Sequence, residues 1–300
     1  MNTDIIRNYR NQDDLRRSLN ALAEKTFDGL NFEAWYQDGY WGDRYNPHSI
    51  VIDGQVTANV SVNTIDFIWN GEKKRLIQLG TVMTEERFRN QGLIRRIMQE
   101  IDQKYAKAVD GFYLFANDSV LDFYPKFGFR KVMEYRYTKP FSTSKECSMI
   151  KVPMSTTDSL CNPARRNDNR SRLADAMGRN VSYSRFRMVD NDNLMMFYAT
   201  GFMQDSVYYS DKYDTYVIAD IEGDTLTVHN VFSEVKHSLD NIFAAFGPDI
   251  RQIVLGFTPS DGEGYQVSAF REEDCTLFVK GRVFDSFEQD QVIFPTLSHA

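Results

Sequence analysis

The sequence is poor in the residues that staple or wire a protein together. Three cysteines, Cys147, Cys161 and Cys275, stand far apart in 300 residues, with no CxxC pair among them. That spacing excludes a disulfide framework and a cysteine-based zinc site, and it fits a reducing compartment. Four histidines, His48, His229, His237 and His299, show no metal-ligand spacing, so no metal is expected. No apolar run is long enough to span a bilayer. The opening MNTDIIRNYRNQDD is polar where a signal peptide would be hydrophobic, which points to a cytoplasmic protein without a membrane partner. Positive charge is in deficit as well: 35 Lys and Arg against 42 Asp and Glu, a net −7. A broad nucleic-acid surface is thereby disfavoured, and the one basic cluster, Arg165, Arg166, Arg170 and Arg172, has no interleaved aromatics.

What is present describes a globular chain. Hydrophobic residues make up 42% and charged residues 26%, with 22 Phe, 16 Tyr and 3 Trp, a composition suited to sheets and lined clefts. Three hundred residues exceed one ordinary core, so one large or two medium domains are expected. Residues 13–28 carry Leu15, Leu19, Leu22 and Phe27 at helical intervals, closed by Gly29. Residues 50–84 alternate as three strands with turns at Asp53-Gly54 and Asn70-Gly71. A helix follows with Ile94, Ile97, Met98, Ile101 and Tyr105 on one face. Then come a buried strand GFYLFAND, a short helix, Gly128 and one more strand. The aromatic run Trp35, Tyr36, Tyr40, Trp41 and Tyr45 is open to two readings, a ligand cleft or core packing.

Around 140–172 this pattern gives way to polar sequence, whose stretch from Ser142 to Arg172 holds two prolines, the expected linker. Beyond it the order repeats at a spacing near 145 residues. YDTYVIADIEGDTLTVHNVFS is a strand pair turning at Glu222-Gly223, and SLDNIFAAFG is a helix with Leu239, Ile242, Phe243 and Phe246 together. IRQIVLGFTP and CTLFVKG are later strands. A duplicated domain is the expected organisation: 1–142, a linker 143–172, and 173–300.

The chemistry concentrates at RFRNQGLIRRIMQEI, residues 87–101. A strand ending at Val82-Met83-Thr84 leads through Arg87 and Arg89 to Gly92 at the start of a helix. Amides of residues 89–95 (Arg89, Asn90, Gln91, Gly92, Leu93, Ile94, Arg95) would point one way with the helix dipole behind them. Gly92 removes a side chain that would hold a phosphate off the backbone. A diphosphate uses that geometry most fully. Neither GxxxxGK[ST] nor GxGxxG is present, which excludes the common triphosphate and dinucleotide loops. The second half reads SEVKHSLDNIF at this place, with neither glycine nor arginine, so only one half can do this.

The stretch VMTEERFRNQGLI resembles the acetyl-CoA signature of the GNAT superfamily of N-acetyltransferases, Q/R-x-x-G-x-G/A, with Arg89 first and Gly92 fourth. Ile94 takes the sixth position, where that family prefers Gly or Ala. FYLFANDSVLDFYPKFGF is similar to the family's next strand and its FYxKxGF segment. The resemblance implies an α/β fold, a mixed and mostly antiparallel sheet flanked by helices of the acyl-CoA N-acyltransferase type, here in two tandem copies with the second degenerate. It also implies acetyl-CoA as co-substrate and direct acetyl transfer to an amine of a small-molecule or peptide acceptor. Asn117 would contact pantetheine, and Tyr124 would protonate the departing thiolate. Glu85 and Glu86 are both placed to act as base, with a water relay as the third option. The second copy would shape the acceptor site, cover it, or mediate self-association into a homo-oligomer. The competing class is an acyl-CoA sensor or scaffold without turnover. In some tandem relatives the C-terminus reaches the active site, and the tail QVIFPTLSHA is apolar enough to dock.

Overall fold

A computed structural model of the chain describes residues 4–154 and 163–299, with backbone alone for 163–168. The first run of elements is β1 (Ile5–Ile6), α1 (Asp13–Thr26), α2 (Glu33–Gln37), β2 (Tyr45–Ile52), β3 (Gln55–Trp69), β4 (Glu72–Thr84), α3 (Leu93–Tyr105), β5 (Gly111–Ala116), β6 (Arg130–Lys131) and β7 (Glu134–Pro140). The second is β8 (Ile150–Lys151), α4 (Pro163–Gly178), β9 (Phe186–Val189), α5 (Asp192–Thr200), β10 (Val207–Ser210), β11 (Thr215–Glu222), β12 (Thr225–Ser233), α6 (Leu239–Ala244), β13 (Gln252–Leu255), β14 (Gln266–Phe270) and β15 (Thr276–Lys280). Local signals act as anticipated. Asp13 and Asp14 sit in the first turn of α1, where carboxylates meet the positive end of the helix. Asp53-Gly54 and Asn70-Gly71 take the paired positive φ angles of tight hairpins. The short helix expected after β5 is two 3-10 turns, Asp118–Val120 and Tyr124–Phe127, because Pro125 and left-handed Gly128 leave no room to propagate.

Two mixed, mostly antiparallel sheets result. The first runs β1-β2-β3-β4-β5-β15-β6, with β9 added beside β3. The second, in the matching sense, runs β8-β10-β11-β12-β13-β7-β14. Each holds one parallel pair, β4 with β5 and β12 with β13. The two orders correspond element for element, but the final strand of each run lies in the other sheet. What reads as one strand over 130–139 is cut at Val132-Met133: β6 stays beside β15, while β7 crosses to lie between β13 and β14. In return β15 enters the first sheet between β5 and β6. Segments 1–142 and 173–300 therefore each contribute to both sheets. The polar stretch expected as a linker holds β8 and most of α4, and Arg170 there is buried in an ion pair with Asp38.

Between the sheets lies an aromatic core in which Phe67 stacks on Phe186 at 4.6 Å and Tyr113 on Phe294 at 4.1 Å. On its other face the first sheet is covered by α3, through Leu93, Ile97, Met98 and Ile101. The tail 292–298 is buried among these layers. Gly111 shows how closely β15 is fitted. A Cβ there would meet the Lys280 carbonyl oxygen at 2.9 Å and the Phe284 ring at 2.6 Å. Gly111→Ala is expected to cost about 1–3 kcal/mol of stability by wedging β5 from β15, read as a lowered urea midpoint at unchanged slope.

Candidate active site

The site begins where the parallel pair stops. β4 and β5 are bonded only at Leu76–Gly111, Ile77–Phe112 and Gln78–Tyr113, after which they part. β4 is then kinked by a bulge opposite Asn59 and Ser61, with Thr81 at φ +43°. A β-branched residue is strained in that conformation, and buried hydrogen bonds hold it. The Thr81 hydroxyl meets the Tyr45 hydroxyl at 2.7 Å and donates to Ser61 Oγ at 2.8 Å, while Asn59 Nδ2 donates to the Thr81 carbonyl at 2.9 Å. The Val82 side chain packs on the α3-side core, and Met83 is buried in the opposite one. Thr84 ends the strand half-buried. Their backbone on the β5 side faces the gap.

Above the gap stands the corner into α3. Asn90 (φ +61°) and Gly92 (φ +76°) are both left-handed, turning successive amides toward one side. The first helical bond is Arg96 N to Gly92 O, so the amides of Gly92, Leu93, Ile94 and Arg95 have no backbone partner among the described residues. A Cβ at Gly92 would meet no protein atom within 4 Å and would project into the open space before those amides. Arg89 and Gln91 are exposed, tethered only to the Thr84 and Arg87 carbonyls at 3.5 and 3.3 Å. Ile94, the departure from the family pattern, packs against the α3-side core, as do Val82 and Phe88. Beside α3 runs a cavity of about 290 Å³ lined by Leu79, Arg95, Met98, Lys126, Phe129 and Lys280. Asp102 of the same wall pairs with Lys280, which leaves Arg95 and Lys126 as the cations that a phosphate-bearing ligand there would meet beside apolar walls. Lys126 is the lysine of the FYxKxGF segment, whereas Lys280 was not legible from motif spacing, since it arrives on the exchanged strand.

Tyr124 is buried against Phe123, Phe129 and Phe278, and its hydroxyl has no hydrogen bond among the described residues. Burial pushes its pKa up to about 12, so the phenol is a proton donor at neutral pH. Glu85 pairs with Lys25 of α1 at 2.9 Å, and that hydrogen bond holds its carboxyl below the usual range. Glu86 opens an exposed 3-10 turn. The Asn117 amide donates to Asp274 Oδ2 at 2.9 Å, and Asp274 also caps the Asp118 amide at 2.6 Å. Val82, Ile94 and Tyr124 thus share one cluster, whereas Asn117 is engaged by the turn preceding β15.

Two further parts lie outside any local motif. On the inter-sheet face of β5, the His299 ring stacks on Phe115 at 3.7 Å, and Tyr113 donates to the Ser298 carbonyl at 2.9 Å. The tail thereby reaches the wall of the gap. The aromatic run near residue 40 is core: Trp35, Trp41 and Tyr45 are buried against one another and Phe32. Among the described residues no group of three or more His, Cys, Asp or Glu could hold a metal, and no helix is long and apolar enough to cross a membrane.

Residues 12–129, which hold the parallel pair, the corner and Tyr124, match the model of the acetyltransferase (GNAT) family. The whole fold is similar to a probable N-acyltransferase from Enterococcus faecalis V583, with a TM-score of 0.58 at 15% identity over 93% of this chain and 72% of that one. Eis1 from Mycobacterium abscessus is similar at a TM-score of 0.52 and 14% identity, over 92% and 73% of the two chains. A GCN5-related N-acetyltransferase from Kribbella flavida gives 0.50 and 14%, over 92% and 71%. At such identities the likeness is one of fold. No curated protein matches the sequence.

The seat of α3 is pH-sensitive. His48 on β2 is wholly buried, with Nδ1 2.8 Å from Glu100 Oε2 and Nε2 3.2 Å from the Tyr105 hydroxyl, both on α3. Burial lowers its pKa from 6.5 to about 4, against the pull of Glu100. Between those values the unfolded chain binds a proton that the native one refuses, so stability falls as pH drops from 6.5 toward 4. The loss should approach about 3 kcal/mol. Urea midpoints measured across that range should fall, and His48→Gln should flatten the slope.

Proposed function

We propose that the chain transfers an acetyl group from acetyl-CoA to a primary amine, directly and within a ternary complex. The family match supports acyl transfer as the chemistry. The observation that carries the finer reading is the corner of unpartnered amides at Gly92–Arg95, standing over the parted ends of β4 and β5 with Tyr124 in the same cluster. The diphosphate would rest on those amides, beside Arg89, Asn90 and Gln91. Pantetheine would lie along Val82, Met83 and Thr84, whose free backbone groups would also orient the thioester. Tyr124, kept protonated, would give its proton to the leaving sulfur. Glu85 is ionised and can take the ammonium's surplus proton directly or through water, and Glu86 shares that strand end. Asn117 would serve by holding the Asp274 turn, and so β15, against β5.

The second sheet reads as a degenerate copy of the first. It has a parallel pair and a bulge at the same places, the bulged residue being His229. Its gap is filled from within. Thr296 N donates to the Gly256 carbonyl at 2.9 Å, and Thr258 and Ile293 exchange two hydrogen bonds. A Cβ at Gly256 would stand 2.4 Å from Thr296 Oγ1. One acetyl-CoA per chain is therefore proposed, with the acceptor a small-molecule or peptide amine and the location cytoplasmic.

Free-thiol release from acetyl-CoA with a panel of amines tests the reading. Tyr124→Phe should lower kcat about 10²-fold with acetyl-CoA affinity nearly unchanged, because only the proton is lost. Gly92→Asp should weaken acetyl-CoA binding about tenfold or more by calorimetry, since it sets a strained backbone and a carboxylate before the diphosphate. Tight binding with no thiol release from any amine would define a sensor instead.

A further inference from the structure

A second cavity, of about 250 Å³, lies between the end of α4, β9, the start of α5 and the outer part of β12. It is largely polar. Arg187 lines one wall, on a strand held by four register pairs to β3. Its guanidinium has no carboxylate within ion-pair distance among the described residues. Asp192 lines another wall at the first turn of α5, also without an ion pair or hydrogen bond among the described residues, its carboxylate 3.8 Å from the Cβ position of Gly178. Asp190 lies nearby and is shared with Lys73 at 3.5 Å. Burial, then Asp190, raises the Asp192 carboxyl above its ordinary range. Asn191, between Asp190 and Asp192 in the chain but not lining the cavity, is 2% exposed, and its amide nitrogen has no partner among the described residues.

Two opposite charges that line one cavity without touching each other are poised for a ligand that carries both. A volume near 250 Å³ lies just below the span typical of drug-sized sites and suits a single small molecule. We propose that this cavity binds a free α-amino acid, its carboxylate on Arg187 and its ammonium on Asp192, with Tyr183, Phe232 and Phe257 receiving the side chain. The planar guanidinium matches a carboxylate in two-pronged geometry, and an ammonium beside Asp192 relieves its repulsion from Asp190. This site is independent of the transfer chemistry assigned to the first sheet.

Calorimetry of the full chain with each standard L-amino acid at millimolar concentration, in the presence and absence of CoA, tests it. At least one should bind, and CoA should not displace it. The amide and the N-acetyl derivative of that amino acid, each missing one charge, should bind about tenfold more weakly or worse. Arg187→Ala and Asp192→Asn should weaken it equally while leaving CoA affinity intact, which also reports that they fold. If either variant fails to fold, the two derivatives on the unmodified chain decide the matter. No binding by any amino acid, equal binding of the derivatives, undiminished binding by folded variants, or displacement by CoA would each overturn the assignment.

Discussion

The candidate site depends on the ladder between β5 and β15. β5 shares five register pairs with β15 but only three with its parallel neighbour β4. Because β15 holds β5 in place, β4 is free to part from it, and the gap that results is the feature on which the site is built. Parallel pairing by itself would have to choose between a closed sheet and a loose strand. The exchanged strand removes that choice, and it brings Lys280 to the cavity beside α3 and the Asp274 turn to Asn117.

The same exchange binds the two sheets into one body. Neither sheet is complete without a strand from the other run, and the core between them is filled by aromatic rings from both, with Phe294 of the tail packed among Tyr113, Phe186 and Phe287. The tail serves both sheets differently. In the second it occupies the gap beside β12 and β13, and in the first it ends against the wall of an open one. Repeated architecture thus yields one open gap and one closed gap, from a difference in what fills them. The electrostatics follow suit: Arg89, Arg95 and Lys126 are carried on and beside α3, while the counterpart α6 is only six residues long.

Much of the first sheet was legible. Hairpin turns at Asp53-Gly54 and Asn70-Gly71, the 3.6-residue stripe of α3 and the left-handed Gly92 are local consequences of side-chain volume and backbone sterics, and local physics is written in neighbouring residues. The corner amides could be located for the same reason. Local reading has no access to partners far along the chain. The aromatic run near residue 40 has identical spacing whether it faces a ligand or Phe32 and Phe197, and contacts from α5 make it core. The bond from Asn117 to Asp274 could not be read locally, because the two are 157 residues apart.

The sequence alone determined the hairpins and α3 of the first sheet, the left-handed corner at Gly92, and the lack of a glycine at the matching place in the second half. All of these depend on interactions within a few residues. Tertiary structure decided which sheet each final strand joined, which gap stayed open, and what Glu85, Asn117 and the tail touch. A strand of alternating Tyr and polar residues such as β7 pairs equally well with either sheet by its own pattern. Only the cut at Val132-Met133 and the competition with β15 for the edge of β5 determine where it goes.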